Sequence, residues 1–268
     1  MSPAATASPR KRFDTGGAGD RTVPRVYVGC AGWSIPSAHA AAFGAGGSRL
    51  ERYATVFNGV EINSSFHRPH RPATYRRWAA SVPESFRFAV KMPRTISHLA
   101  KLKDCRALLE TFLHEVGSLE DRLGCLLLQL PPSLAWEPSI ALPFLELLRR
   151  LHAGPVACEP RHASWFRHAT SRALRELGIA RVAADPARFP RAAVPAGDHA
   201  LQYLRLHGSP RMYYDAYPDA VLERIQRWLQ RPSQQTTQRW CIFDNTALGH
   251  ATGNALTVQD GLRSARQD

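Results

Sequence analysis

Eight short apolar runs, each separated from the next by a longer stretch, constrain this chain more than any other feature. They are Val26–Cys30, Gly59–Ile62, Phe86–Lys91, Cys125–Leu130, Pro155–Glu159, Ala180–Asp185, Leu201–His207 and Trp240–Asp244. Runs this short that stay nearly continuously apolar are what parallel strands need when both of their faces are covered. Between them lie seven segments of helical character, at about 48–57, 72–80, 105–122, 137–151, 168–177, 216–230 and 253–264. Leu108, Leu109, Phe112, Leu113 and Val116 keep an i, i+3/i+4 apolar stripe, and Leu142, Leu145, Leu148 and Leu151 keep another.

The expected fold class is therefore α/β. Eight strand–helix units in about 240 residues match the size of a single (β/α)8 TIM-type barrel. A doubly wound open sheet is the competitor, and it normally carries a glycine fingerprint after its first strand. Here Gly29 and Gly32 are followed by Trp33, and no GxGxxG forms. No internal repeat and no Pro/Gly-rich linker divides the core. The expected organisation is a disordered basic tail over 1–25, one barrel domain over 26–264 and a short tail over 265–268.

Composition bounds the class of protein. Of 268 residues, 44% are hydrophobic and 21% charged, which excludes a disordered or fibrous chain. No run of 18 apolar residues is present, so no membrane span or membrane partner is expected. The first 20 residues carry basic groups with no apolar segment after them, which does not read as a secretory signal. Five cysteines, odd in number and without a CxxC pair, fit reduced thiols and a cytoplasmic location. The net charge is +13, of which the first 25 residues hold +3. Such a balance suits anionic partners, although an excess of Arg over Lys of 31 to 4 also fits an Arg-rich proteome.

In a barrel of this type the chemistry gathers where the strands run out at their C-terminal ends. Seven of the eight runs close on polar or ionisable groups: Glu61 and Asn63, Lys91, Gln129, Glu159, Asp185, Arg205 and His207, and Asp244 and Asn245. Arg94 follows Lys91, while Arg161 and His162 follow Glu159. Glu61 and Asn63 share one face of their strand, as do Tyr203, Arg205 and His207, because side chains alternate. With those faces turned inward, carboxylates and cations intermingle at one end of the strands. Buried charges are costly unless paired or ligand-bound, so this set reads as a site.

The strings GCAGWS, RYATVFNGVEINSSFHR, FRFAVKMPRTISH, LLLQLPPS, CEPRHASW, YLRLHGSPRMYY and FDNTALGHATGNAL, in this order, resemble the YecE-like family, domain of unknown function 72. The resemblance runs from about Val26 to Leu256 and implies a TIM-type barrel but no particular reaction. The polar residues it carries over are Glu61, Asn63, Ser64, Lys91, Arg94, His98, Gln129, Glu159, Arg161, His162, Arg205, His207, Gly208 and Asn245. Departures are Cys30 for the family's Thr or Ser, Ile35 for Tyr, and His67 for Tyr.

The chemistry expected is acid–base hydrolysis or lysis of a small anionic or phosphorylated substrate. Glu61 and Glu159 are the candidate acid and base, and Lys91, His162 and His207 complete the catalytic set. Two glutamates facing each other across the mouth also suit the wide spacing of an inverting glycosidase. Ligand binding falls to Trp33, Asn63, Arg94, Gln129, Arg161, Arg205, Asp244 and Asn245, with Arg suited to bidentate grip on phosphate or carboxylate. Lys91 is expected among carboxylates that raise its pKa, which argues against a Schiff base there. No HExxH, HxH or CxxC spacing occurs, so no metal is assigned and no cofactor is identified. The alternative is nucleic-acid binding or processing, drawing on His67, Arg68, His70, Arg71, Arg76 and Arg77. Trp33, Trp165, Tyr213, Tyr214 and Tyr217 would supply the stacking platforms.

Overall fold

The computed structural model describes residues 22–265; residues 1–21 and 266–268, where most of both expected tails fall, lie outside the described residues. The chain alternates strand and helix: β1 (Arg25–Cys30), α1 (Arg49–Ala54), β2 (Gly59–Ile62), α2 (Pro72–Ala80), β3 (Arg87–Lys91), α3 (Arg106–Gly117), β4 (Leu123–Gln129), α4 (Pro138–Leu151) and β5 (Val156–Glu159). It continues through α5 (His168–Glu176), β6 (Ala180–Arg181), β7 (Ala183–Asp185), β8 (Ala196–Gly197), β9 (Leu201–Leu206), α6 (Asp219–Leu229), β10 (Gln238–Phe243) and α7 (His250–Ser264). Every expected run holds a strand and every expected helix is present. Local signals place the starts: Ser48 and Glu51 form a reciprocal capping box on α1, and proline opens α2 and α4.

The strands form two sheets, ordered β1-β10-β9-β7 and β2-β3-β4-β5-β6-β8. All pairings between these strands are parallel except β6 with the short β8. The single closed barrel expected from the sequence is thus met only as a parallel-rich α/β fold, and the sheets are not closed into a barrel. The reasons lie at two junctions. The sixth run breaks at Val182, so its first half pairs with β5 and its second half with β9. Between β1 and β2 there is only an isolated bridge, Ala31 to Glu61, with the Gly32 N–H donating to the Glu61 carbonyl at 2.9 Å.

Alternation sorts the strand residues into two cores. Val26, Val28, Val60, Ile62, Val90, Leu126, Leu128, Cys241 and Phe243 face the helices. Tyr27, Ala89, Cys125, Leu127, Ala157, Val182, Tyr203, Trp240 and Ile242 pack on the other face, against one another. There Trp240 lies between Tyr27 and Tyr203, with ring centroids 4.6 and 5.9 Å away. Gly124 makes room for the indole: a Cβ at that position would sit 2.6 Å from Trp240 Cζ2. This aromatic layer fills the N-terminal end of the inner face, and the polar strand ends follow it. All five cysteines are free and buried, and burial pushes the Cys30 thiol up to about 12. No helix among the described residues is long and apolar enough to cross a membrane.

Candidate active site

The inner face that begins with Tyr203 and Trp240 continues into charge, two residues on at Arg205 and four residues on at Asp244. Arg205 is the hub. Its Nε donates to both Glu61 oxygens at 3.2 and 3.0 Å, and its Nη2 donates to Glu61 Oε1 at 2.7 Å. Nη1 reaches Glu159 Oε2 at 3.2 Å, and Nη2 also lies 2.9 Å from Asp244 Oδ2. Tyr203 adds a hydroxyl donated to Glu61 Oε2 at 2.9 Å. Both glutamates and Arg205 are buried. Charges so removed from water need this degree of pairing to persist.

Glu159 is equally occupied. Arg161 donates to its Oε1 through Nε and Nη2 at 3.2 and 3.1 Å, and Gln129 Nε2 donates to Oε2 at 3.1 Å. Burial pushes the Glu159 pKa up, but Arg205, His207 and Arg161 together hold it well below the usual carboxylate range. His207 spans two acids: Nδ1 lies 3.0 Å from Asp244 Oδ2 and Nε2 lies 3.3 Å from Glu159 Oε1. An ionised carboxylate only accepts, so both ring nitrogens must carry hydrogen and the ring is an imidazolium. Three carboxylates therefore face three cations, Arg205, Arg161 and His207, and the count closes without Lys91.

Lys91 forms an ion pair with no carboxylate among the described residues. Its Nζ sits over the Phe66 ring, 4.1 Å from the centroid, on a side chain only 6% exposed. Burial, then the Arg205 charge, bring its pKa from 10.5 down to about 8, against the pull of Glu61, Glu159 and Asp244. The expectation of a raised pKa is thus reversed: the carboxylates do pull it up, but burial first and the Arg205 charge second outweigh them. Lys91 opens into a cleft of about 480 Å³ shared with Asn63, Phe66, His67, Arg94, His98, Gln129, Tyr213, Asp244 and Thr246. Asn63 Oδ1 is buried there with no hydrogen-bond partner among the described residues. His98 is held below its ordinary 6.5 by burial and then by the Lys91 charge. Gly208 turns the chain over the site at φ +93°, and a Cβ on it would lie 2.7 Å from the Asp215 carbonyl oxygen.

The structure brings Glu61, Lys91, Gln129, Glu159, Arg161, Arg205, His207 and Asp244 together, with Asn63 and Arg94 beside them on the cleft. Three candidates stand apart. His162 caps a turn, its Nδ1 2.8 Å from the Ser164 hydroxyl. Trp33 packs edge-on against Trp78, and Asn245 is fully buried, donating to the Asp215 carbonyl and to Asn254 Oδ1. Asp185 also stays outside: Ala184 takes the inward position of its strand, and Asp185 lines an outer groove with Tyr217 and Val221. Of the stacking aromatics, Trp165 and Tyr217 are core residues, with the Trp165 indole N–H bound to the Leu134 carbonyl. Phe66 and Thr246 were not legible as cleft residues, since nothing in their local pattern separates them from loop or core. Among the described residues no three or more His, Cys, Asp or Glu side chains are arranged to ligate a metal.

Fold and site define an α/β protein of parallel-rich sheets that carries a buried ion network and an adjoining cationic cleft at the C-terminal ends of its strands. The chain belongs to the family described as "Protein of unknown function DUF72", whose model matches residues 27–268. It is 29% identical over 258 residues to the UPF0759 protein YecE of Escherichia coli K12, covering 89% of this chain and 93% of that one. The UPF0759 protein YunF of Bacillus subtilis is 22% identical over 271 residues, covering 88% and 94%. Two crystal structures of DUF72 family proteins share the fold. The one from Enterococcus faecalis V583 has a TM-score of 0.73 at 22% identity, covering 89% of this chain and 95% of that one. The one from Thermotoga maritima has a TM-score of 0.71 at 24% identity, covering 91% and 100%.

Proposed function

We propose that the two sheets are the halves of one (β/α)8-type barrel, and that its C-terminal mouth is the active site of an acid–base enzyme for small anionic substrates. The observation that carries this reading is the surplus charge. Glu61, Glu159 and Asp244 are already matched by Arg205, Arg161 and His207, which leaves Lys91 unpaired on the cleft wall. A phosphate or carboxylate in the cleft would supply the missing countercharge, with exposed Arg94 at the rim as a second contact. Glu61 and Glu159 serve in this reading as anchors for Arg205 rather than as acid and base. A guanidinium bridges the two glutamates, so it stands where an inverting glycosidase would need its water. Proton transfer falls to Lys91, whose pKa of about 8 suits it, and to neutral His98, in a hydrolase or lyase reaction.

Calorimetric titration of the protein with inorganic phosphate, glycerol 3-phosphate and lactate at neutral pH tests the reading. Saturable binding of at least one anion, weakened about tenfold or more in Lys91→Met, is the expected result. Equal binding by both proteins, or none by either, overturns it.

A second reading is nucleic-acid binding, and one observation favours it: Arg68 and Arg71 just before α2 and Arg76 and Arg77 within it are all exposed, the first beside cleft-lining His67. Single-stranded oligonucleotide binding that survives physiological salt and is lost in Arg76→Glu, Arg77→Glu would move the reading to this face.

A further inference from the structure

Lys91 differs from every other cation of the network. Arg205, Arg161 and His207 all lie within 3.3 Å of carboxylate oxygens. The Lys91 Nζ meets an aromatic face instead, inside the wall of an open cleft. A buried ammonium without a carboxylate is relieved most cheaply by giving up its proton. With its pKa at about 8, roughly a tenth of the amine is free base at neutral pH, against about one part in three thousand at the ordinary value.

We propose that Lys91 is a covalent nucleophile that forms an imine with a small ligand bearing an aldehyde or ketone next to its carboxylate or phosphate. The inference rests on the anion-binding reading of the cleft and adds the chemical class of the ligand. The neutral Nζ adds to the carbonyl carbon, and the carbonyl oxygen takes one of the amine hydrogens to give a carbinolamine. The C–O bond then breaks, the oxygen leaves as water with the second amine hydrogen, and the nitrogen lone pair completes C=N. Two hydrogens and one oxygen depart as one water, and nothing is oxidised or reduced. Asn63 Oδ1, buried and unpartnered on the cleft wall, accepts a hydrogen bond from the carbinolamine hydroxyl. His98, neutral in the same cleft, relays the proton. Arg94 stays charged to hold the anion once the lysine is consumed.

The chain has only four lysines, Lys11, Lys91, Lys101 and Lys103, so the pattern of modification can be read directly. The full chain is incubated with pyruvate, glyoxylate or glycolaldehyde phosphate in the presence of cyanoborohydride, which reduces an imine to a stable amine. Peptide mass mapping then locates the adduct. In parallel, lactate, glycolate and 2-phosphoglycolate, which have no reactive carbonyl, are titrated calorimetrically. The expected result is one adduct per chain, on Lys91, formed at least about tenfold faster than on the other lysines and absent from Lys91→Met. Adducts spread evenly over the four lysines overturn the inference. No adduct, while the carbonyl-free anions still bind, overturns it and leaves the anion-binding reading standing. No adduct and no anion binding removes both.

Discussion

The imidazole of His207 lies with Nδ1 3.0 Å from Asp244 Oδ2, while its other nitrogen faces Glu159 at 3.3 Å. That arrangement makes the ring a structural cation rather than a mobile proton carrier. Burial pulls its pKa down, but the hydrogen bonds to Asp244 and Glu159 outweigh burial and the net value lies above the ordinary 6.5. Its contribution to stability is complete below about pH 6.5, where folded and unfolded chains both hold the proton. It is lost as pH rises through the folded value. Urea midpoints between about pH 6 and pH 8, below the range in which Lys91 titrates, should therefore fall for the wild type, and His207→Gln should flatten the dependence while costing about 3 kcal/mol at the acid end. A wild-type profile that rises across this window contradicts the assignment. Glu159 acts at the opposite end, since its contribution is present above 4.5 and lost as pH falls through its depressed value.

Removing Arg205 leaves buried Glu61 with no cation and takes one partner each from Glu159 and Asp244. Arg205→Met is expected to lose at least about 3–5 kcal/mol, the scale for breaking a buried pair from one side. Arg205→Lys should recover less than half of that, because an ammonium cannot reproduce the fork that meets Glu61 through two nitrogens. Chemical denaturation of the three proteins checks the order, and a lysine variant as stable as wild type would show that charge alone suffices.

Lys91 works against the fold that holds it. Because folding lowers its pKa, the penalty is full below about pH 8 and disappears as pH approaches 10.5. Lys91→Met should be more stable than wild type by about 1–3 kcal/mol at neutral pH and lose anion binding in the same step. Thermal melts paired with titration calorimetry test both halves, and a destabilised variant would mean that the ammonium is better solvated than its burial implies.

Gly124 offers a check on the interior remote from the charges. Gly124→Ala places a methyl 2.6 Å from Trp240 and 2.8 Å from Arg87 Cβ. A loss of about 1–3 kcal/mol is expected, read as a melting temperature lower by about 2–4 °C per kcal/mol in a chain of this size. An unchanged melt would mean that Trp240 moves freely, contrary to its place between two tyrosine rings.

The strand and helix order was legible because apolar runs and helical stripes report burial directly, residue by residue. Sheet closure was not legible. The break at Val182 and the lone Ala31–Glu61 bridge depend on how strands lean together, which no periodicity encodes. Alternation correctly put Glu61, Arg205 and His207 on one face, and the same parity turns Asp185 outward, a consequence that becomes visible only when Ala184 is seen in the inward position. The roles within the cluster were harder. Whether a glutamate is a base or an anchor depends on which cation reaches it, and Glu61 meets its arginine across 144 residues of chain.

That separation bears on how the protein is made. Glu61 and Glu159 leave the ribosome well before Arg205, which trails the second of them by 46 residues. Until β9 emerges, docking the earlier strands would bury two carboxylates with no guanidinium between them, a cost that holds the nascent chain open. Arg205 thereby makes completion of the charge network wait until residue 205 of the 268 has been added.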